Sequence, residues 1–96
     1  MTGQIKVGSV VFSKSGRDSG KFFVCVKVLD AKFVLLCDGE IHKLNKPKKK
    51  NIKHLKPNGE ILETVKDKLF EDKKIFDSEI RKSLRPYNEL IKTEEN

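Results

Sequence analysis

Two stretches carry residue types whose spacing can do chemistry. The first, SKSGRDSGK from Ser13 to Lys21, sets Gly16 and Gly20 with three residues between them among Lys14, Arg17 and Lys21. Glycine admits positive φ and close backbone approach, and cations beside it meet phosphate oxygens, so the chemistry is anion binding at a loop, with Ser15 adding a hydroxyl. It is not a nucleotide P-loop, which needs four residues between its glycines and a Ser/Thr after the lysine. An ordinary charged hairpin tip has the same composition.

The second stretch, Ile41 to Gly59, holds seven lysines, Lys43, Lys46, Lys48, Lys49, Lys50, Lys53 and Lys56, and no acidic residue. Packing cations this densely costs self-repulsion that a polyphosphate would relieve while releasing condensed counterions. A merely solvated loop and a nuclear-targeting tract share the pattern. With a basic glycine loop in the same short chain, nucleic acid is the reading that uses both features. His42 and His54 sit among these lysines, where they could hydrogen-bond or stack with RNA, though plain surface histidines would fall in the same places.

Other chemistries find little to work with. Cys25, Cys37, His42 and His54 lack any CxxC or HxxxH pair, so no metal site is expected. Asp18, Asp30 and Asp38 sit beside Gly, Ser or Ala and read as turn formers, not acid/base groups, so no catalytic residue and no cofactor are expected. There is no Trp, and most of the six Phe fall at core-like positions, so the chain does not read as a stacking platform for single strands. Structured RNA, contacted through backbone and shape, is the expected target.

The elements that must position these groups follow from patterning. Ninety-six residues are expected to build one domain, or a small domain with an appendage, rather than a two-domain enzyme with an interdomain cleft. The net charge is +7, divided unevenly: residues 1–57 carry 13 Lys/Arg against 4 Asp/Glu, residues 58–96 carry 8 against 10. The front half alternates short β-branched and aromatic runs with turn residues: Val10–Phe12, Lys21–Leu29, Phe33–Cys37 and Glu40–Leu44, joined at Asp30-Ala31-Lys32 and Asp38-Gly39. A fifth run near Ile52–Leu55 is expected to pair with the first. The Lys21–Leu29 run is apolar on both faces apart from Lys27, as befits a central, curved strand.

The fold class expected is therefore mainly β, a five-stranded SH3-like barrel over residues 1–57, followed by a helical extension over 58–96. Pro57-Asn58-Gly59 marks a turn. Ile61, Leu62, Val65, Leu69 and Phe70 then predict a helix over about Glu60–Lys73. Asp77 or Ser78 caps a second, shorter helix that Pro86 stops or kinks, and residues 92–96 fray. The first helix is expected to pack on the barrel; for the second, packing and partner binding stay open. Both cysteines read as buried hydrophobes, no apolar leader opens MTGQIKVG, and no run spans a bilayer, so the expectation is a cytoplasmic protein off the membrane.

The stretch VGSVVFSKSGRDSGKFFVCVKVLD, residues 7–30, resembles a KOW motif, with its Gly-Lys step at Gly20-Lys21. With FVLLCDGEIHKLNKPKKKNIKHL downstream, it is similar to bacterial KOW-domain RNA-binding proteins, themselves similar to KOW-containing large-subunit ribosomal proteins of archaea and eukaryotes. The likeness covers about residues 7–56, and DSEIRKSL echoes the same bacterial group. Phe23 departs from the motif, where many members have another glycine. The resemblance implies an SH3-like barrel with its glycine loop facing RNA: a non-enzymatic, monomeric, ribosome-associated protein binding structured or ribosomal RNA in translation or subunit assembly, with ribosomal proteins as further partners. The RNA-binding set is then Lys14, Ser15, Gly16, Arg17, Gly20, Lys21, Lys43, Lys46, Lys48, Lys49, Lys50, Lys53, His54 and Lys56. KOW motifs also occur in transcription elongation factors, which leaves open an adaptor module that binds protein or DNA.

Overall fold

The computed structural model describes residues 4–95, with side chains described from Gln4 to Glu89. Five strands form one antiparallel sheet: β1 (Ser9–Ser13), β2 (Phe22–Val28), β3 (Phe33–Cys37), β4 (Lys48–Asn51) and β5 (Leu55–Ile61). Their order is β4-β3-β2-β1-β5, so β5 pairs with β1 as expected, while β4 and β5 are the two edges. A 3-10 turn, Ile52–His54, joins the edge strands, and α1 (Glu63–Phe70) and α2 (Asp77–Glu95) complete the chain.

The sheet is buried on both faces, as the two-sided apolar pattern of β2 requires. On one face Phe23 and Cys25 pack with Val11, Val34, Leu36, Leu55 and Ile5. On the other, Val10, Val24 and Cys37 pack with Val65 of α1 and with Ile80 and Leu84 of α2. Both helices thus belong to the core of the sheet. Ile80 and Leu84 are essentially inaccessible, and burial at that level is worth about 1.5–3 kcal/mol per side chain. An extra residue in β2 between Cys25 and Lys27 bends the sheet across its middle.

Several boundaries differ from the sequence expectations, each for a local reason. Glu40–Leu44 is not a strand. Asp38 Oδ1 accepts the N–H groups of Glu40 and His42, both at 2.9 Å, and Asp77 Oδ1 takes that of Leu44 at 2.7 Å, so these amides are spent on turns and on α2. The fourth strand is instead the lysine run Lys48–Asn51, paired with β3. Pro57-Asn58-Gly59 does form a local turn, in which Asn58 Oδ1 accepts the Glu60 N–H at 3.0 Å, but the turn is absorbed as an irregularity within β5. Proline is tolerated there because β5 is an edge.

The first helix is shorter than Glu60–Lys73, because β5 claims residues up to Ile61. The second neither starts on an Asp77 cap nor stops at Pro86. Phe76 N–H is taken by Glu79 Oε1 at 3.0 Å, the reciprocal half of a capping box. Beyond Pro86, Tyr87 packs on Phe22 with ring centroids 5.5 Å apart, and Asn88 Oδ1 accepts the Phe22 N–H at 2.9 Å. These tertiary contacts hold α2 helical past the proline. The expected fraying at 92–96 falls on residues whose side chains lie outside the described set, and Asn96 lies outside it altogether.

The Asp38-Gly39 corner seats the start of α2. Gly39 has φ +81°, and a Cβ there would stand 2.3 Å from the Asp77 carbonyl oxygen and 2.8 Å from the Arg81 nitrogen. Gly59 has φ +86° with open space around it. Gly59→Ala should therefore cost about 1–2 kcal/mol of unfolding free energy, the left-handed penalty alone. Gly39→Ala should cost clearly more, with loss of α2 docking, when the two are compared by urea denaturation and by amide exchange in α2.

Candidate nucleic-acid interface

The glycine loop between β1 and β2 is closed by its own backbone. Ser13 N–H donates to the Lys21 carbonyl and Gly20 N–H to the Ser13 carbonyl, both at 2.9 Å. Gly16 and Gly20 take φ +89° and +87°, which a side chain rarely adopts, so the two glycines serve the turn itself. The loop is then latched from three directions. Ser15 Oγ meets His54 Nδ1 at 2.8 Å, and the Lys14 N–H donates to the His54 carbonyl at 2.9 Å. Lys50 Nζ donates to the Ser15 carbonyl at 2.9 Å, and Asp18 Oδ1 lies 3.0 Å from His42 Nε2.

The structure thus brings together the two basic stretches that the sequence separates by nineteen residues. It also sorts the candidate residues by role. Ser15, His54 and Lys50 hold the loop, so His54 and Lys50 are tied to it by hydrogen bonds, and a Cβ on Gly16 would crowd Lys50 Nζ at 2.9 Å. Lys14, Arg17, Lys21, Lys43, Lys46, Lys48, Lys49, Lys53 and Lys56 are exposed. None of these nine forms an ion pair among the described residues. The lysine and arginine ion pairs among those residues all lie at 63–89: Lys66–Glu63, Lys68–Glu79, Lys73–Glu71 and Arg85–Glu89.

Lys48, Lys49 and Lys50 do not form one patch. Strand pleating alternates faces, and β4 pairs Lys48 with Leu36 and Lys50 with Val34, both on the face that packs around Phe23. Lys49 pairs with Leu35 on the opposite face, and its Nζ sits 4.6 Å from the Phe33 ring centroid, a cation–π contact. The Lys48 and Lys50 charges instead reach the glycine loop. Burial raises the Asp18 pKa, but the His42 hydrogen bond and charge, with Lys48 and Lys50, outweigh it and hold the carboxyl below its ordinary value.

Asp18 is the residue that turn chemistry alone misses. The signal was its position between two glycines in a cationic loop, which makes a distant basic partner profitable. Its partner His42 also packs on Phe23, with centroids 5.9 Å apart. Phe12 and Phe22 were legible only as core. They are half-buried, pack edge to face at 5.1 Å, and wall an open groove of about 390 Å³ with Lys14, Lys56, Pro57 and Asn58.

Cys25 and Cys37 lie in the cores on opposite faces of the sheet. Burial pushes their thiols up to about 11 and about 12, so both stay protonated at neutral pH. No helix among the described residues is long and apolar enough to cross a membrane. Compared with known protein families, the chain matches no family model.

Because the folded state depresses the Asp18 pKa, its stabilising contribution is present above the ordinary carboxylate pKa and is lost as pH falls through the folded value. Asp18→Asn should therefore be less stable than the parent near pH 7. That deficit should shrink toward zero as thermal unfolding is repeated below about pH 4. A deficit independent of pH would assign Asp18 no role as a charged latch.

Proposed function

We propose that this chain is a non-enzymatic RNA-binding protein of the KOW type that acts with the ribosome, its glycine loop and lysine-rich edge jointly gripping phosphates of folded RNA. The observation that carries the reading is the segregation of charge. Nine exposed cations of the loop, the β3–β4 connection, β4, the 3-10 turn and β5 form no ion pair among the described residues, whereas the lysine and arginine ion pairs there, at Lys66, Lys68, Lys73 and Arg85, all lie in the helical segment. Unpaired cations on a latched, glycine-bearing loop suit backbone contacts that position a nucleic acid. The order β4-β3-β2-β1-β5, with its bent β2, is compatible with a sheet that curls toward an SH3-like barrel, the architecture the KOW resemblance implies.

In this reading Lys14, Arg17 and Lys21 position the glycine loop on the RNA. Lys43, Lys46, Lys48, Lys49, Lys53 and Lys56 supply most of the affinity. Ser15, His54 and Lys50 keep the two stretches in register, and A-form shape and 2′-hydroxyl contacts give RNA the advantage over DNA. A cytoplasmic, monomeric protein working in translation or subunit assembly is part of the same proposal. A second reading, an adaptor docked on protein, draws on Phe70 and Phe76, 71% and 53% exposed around the α1–α2 connection. It expects association that is indifferent to ribonuclease.

In sucrose gradients of cell lysate, the protein should travel with a ribosomal subunit and be released by ribonuclease or by raised salt. Sedimentation at the top under every condition would refute the ribosome assignment. For the purified protein and ribosomal RNA, the triple variant Lys48→Gln, Lys49→Gln, Lys53→Gln should bind all sequences more weakly by a similar factor. Its plot of log affinity against log salt should flatten by about 0.7–0.9 per phosphate contact removed. Lys50→Gln should instead loosen the loop, read as faster exchange of the Gly20 amide.

A further inference from the structure

We infer that the groove between Phe12 and Phe22 takes one unstacked nucleobase of the bound RNA, with Lys14 and Lys56 on the phosphates at either side. The inference rests on the RNA-binding reading above and adds a base-contact site to it.

The groove is built from residues of three segments. Phe12 of β1 and Phe22 of β2 are register partners, and Lys56 of β5 is the register partner of Phe12 on its other side. Lys14, Pro57 and Asn58 complete the lining. The aromatic wall is fixed. Phe22 is held by the edge-to-face contact with Phe12 at 5.1 Å, by Tyr87 at 5.5 Å, and through its N–H by Asn88. A preset ring pair loses little freedom when a flat ligand arrives.

The lining also selects the occupant. Two aromatic rings and a proline ring offer an apolar wall, while the only charged groups are two exposed lysines with no ion pair among the described residues. A ligand that is both flat and anionic satisfies both features, and a nucleotide is that ligand. The volume of about 390 Å³ is at the small end of the roughly 300–1,000 Å³ typical of ligand sites, enough for one base with its ribose and phosphate. Asn58 spends its Oδ1 on the Glu60 N–H, which leaves its amide group to donate to a base edge.

Placement favours a base within a chain over a free nucleotide. Lys14 opens the glycine loop and Lys56 ends the lysine-rich stretch, the two segments assigned to phosphates. A strand crossing from one to the other passes over Phe12. The groove therefore lies on the path of the backbone, and a base turned out there stacks on the ring while the flanking phosphates meet the lysines.

The test uses the full chain with two short single strands of equal phosphate number at low salt, one a mixed-sequence RNA and the other an abasic ribose-phosphate oligomer. The RNA should bind roughly tenfold or more tightly than the abasic strand, as aromatic stacking of one base supplies. It alone should shift the amide resonances of Phe12, Phe22 and Asn58. Phe12→Leu should bring the two affinities together. Lys14→Gln with Lys56→Gln, which leaves the apolar wall intact, should weaken both strands by a similar factor. Equal affinity of the parent protein for the two strands would overturn the base site and leave phosphate binding standing. Failure to bind either strand while folded ribosomal RNA is still bound would overturn this inference alone, and failure to bind folded RNA as well would remove the RNA-binding reading with it. Groove resonances that respond to an acidic aromatic peptide and not to RNA would give the groove to a protein partner.

Discussion

The constraint on which this structure depends is that β2 is apolar on both sides and must be buried on both. A single sheet of five short strands cannot do that alone. One face is closed by Ile5, Leu55 and the flanking strands, the other by α1 and α2. With most of both faces occupied, the edges, the loops, the turns between strands and the uncovered groove at Phe12 and Phe22 remain open, and the nine exposed cations of the two basic stretches lie there. The helices are thus required by the sheet, and they leave the proposed interface to its rim.

The helices and the connection between them also hold nine of the fourteen acidic residues, and this placement matters for the rim. Lys68–Glu79 and Lys66–Glu63 neutralise charge within the helical segment, away from the loop. Asp18, Asp30 and Asp38 are the exceptions at 1–57 beside Glu40, and each Asp is engaged. Asp30 accepts two backbone N–H groups, which hold its carboxyl below the ordinary range, and Asp38 accepts two more. Asp18 meets His42. Acid that could quench the lysine field is bound up in turns and in one latch.

Legibility in the sequence followed the physical range of each signal. Period-two alternation and the Asp30 turn are local, so β1, β2 and β3 and their order were readable within a residue or two. The Asp38-Gly39 turn was readable too, but its consequence was not. The path of the chain after that turn depends on Asp77 and Arg81, some forty residues away, which take the Leu44 amide and pack on Gly39. Pro86 misled for the same reason, since the contacts of Tyr87 and Asn88 with β2 outweigh the lost helical hydrogen bond. At the candidate site, charge density exposed both basic stretches, yet nothing local distinguishes Lys50, which fastens the loop, from Lys49, which rests on Phe33. That distinction comes from pleat parity, and parity could be assigned only once β4 was known to be a strand. Phe12 and Phe22 looked like core because hydrophobic pattern reports the face a residue lies on, not whether the face is covered at that point.

Lysines on edge strands have another use, since charge on an exposed edge discourages pairing with a second chain, and β4 and β5 are both edges. That accounts for Lys48, Lys49 and Lys56. It does not account for Lys14, Arg17, Lys43, Lys46 and Lys53, which stand in loops and turns where no edge needs protection. The cost of gathering them is small. Two cations about 10 Å apart in water repel by roughly 0.4 kcal/mol, and a Debye length of about 8 Å at physiological salt screens much of that. Their effect on folding is therefore slight, whereas each phosphate neutralised by the proposed RNA contact would release counterions with a free energy set by salt. In the proposed RNA-binding role, charges that hardly register in stability would control affinity, so selection on binding could accumulate them at the rim while the two-faced core carries the fold.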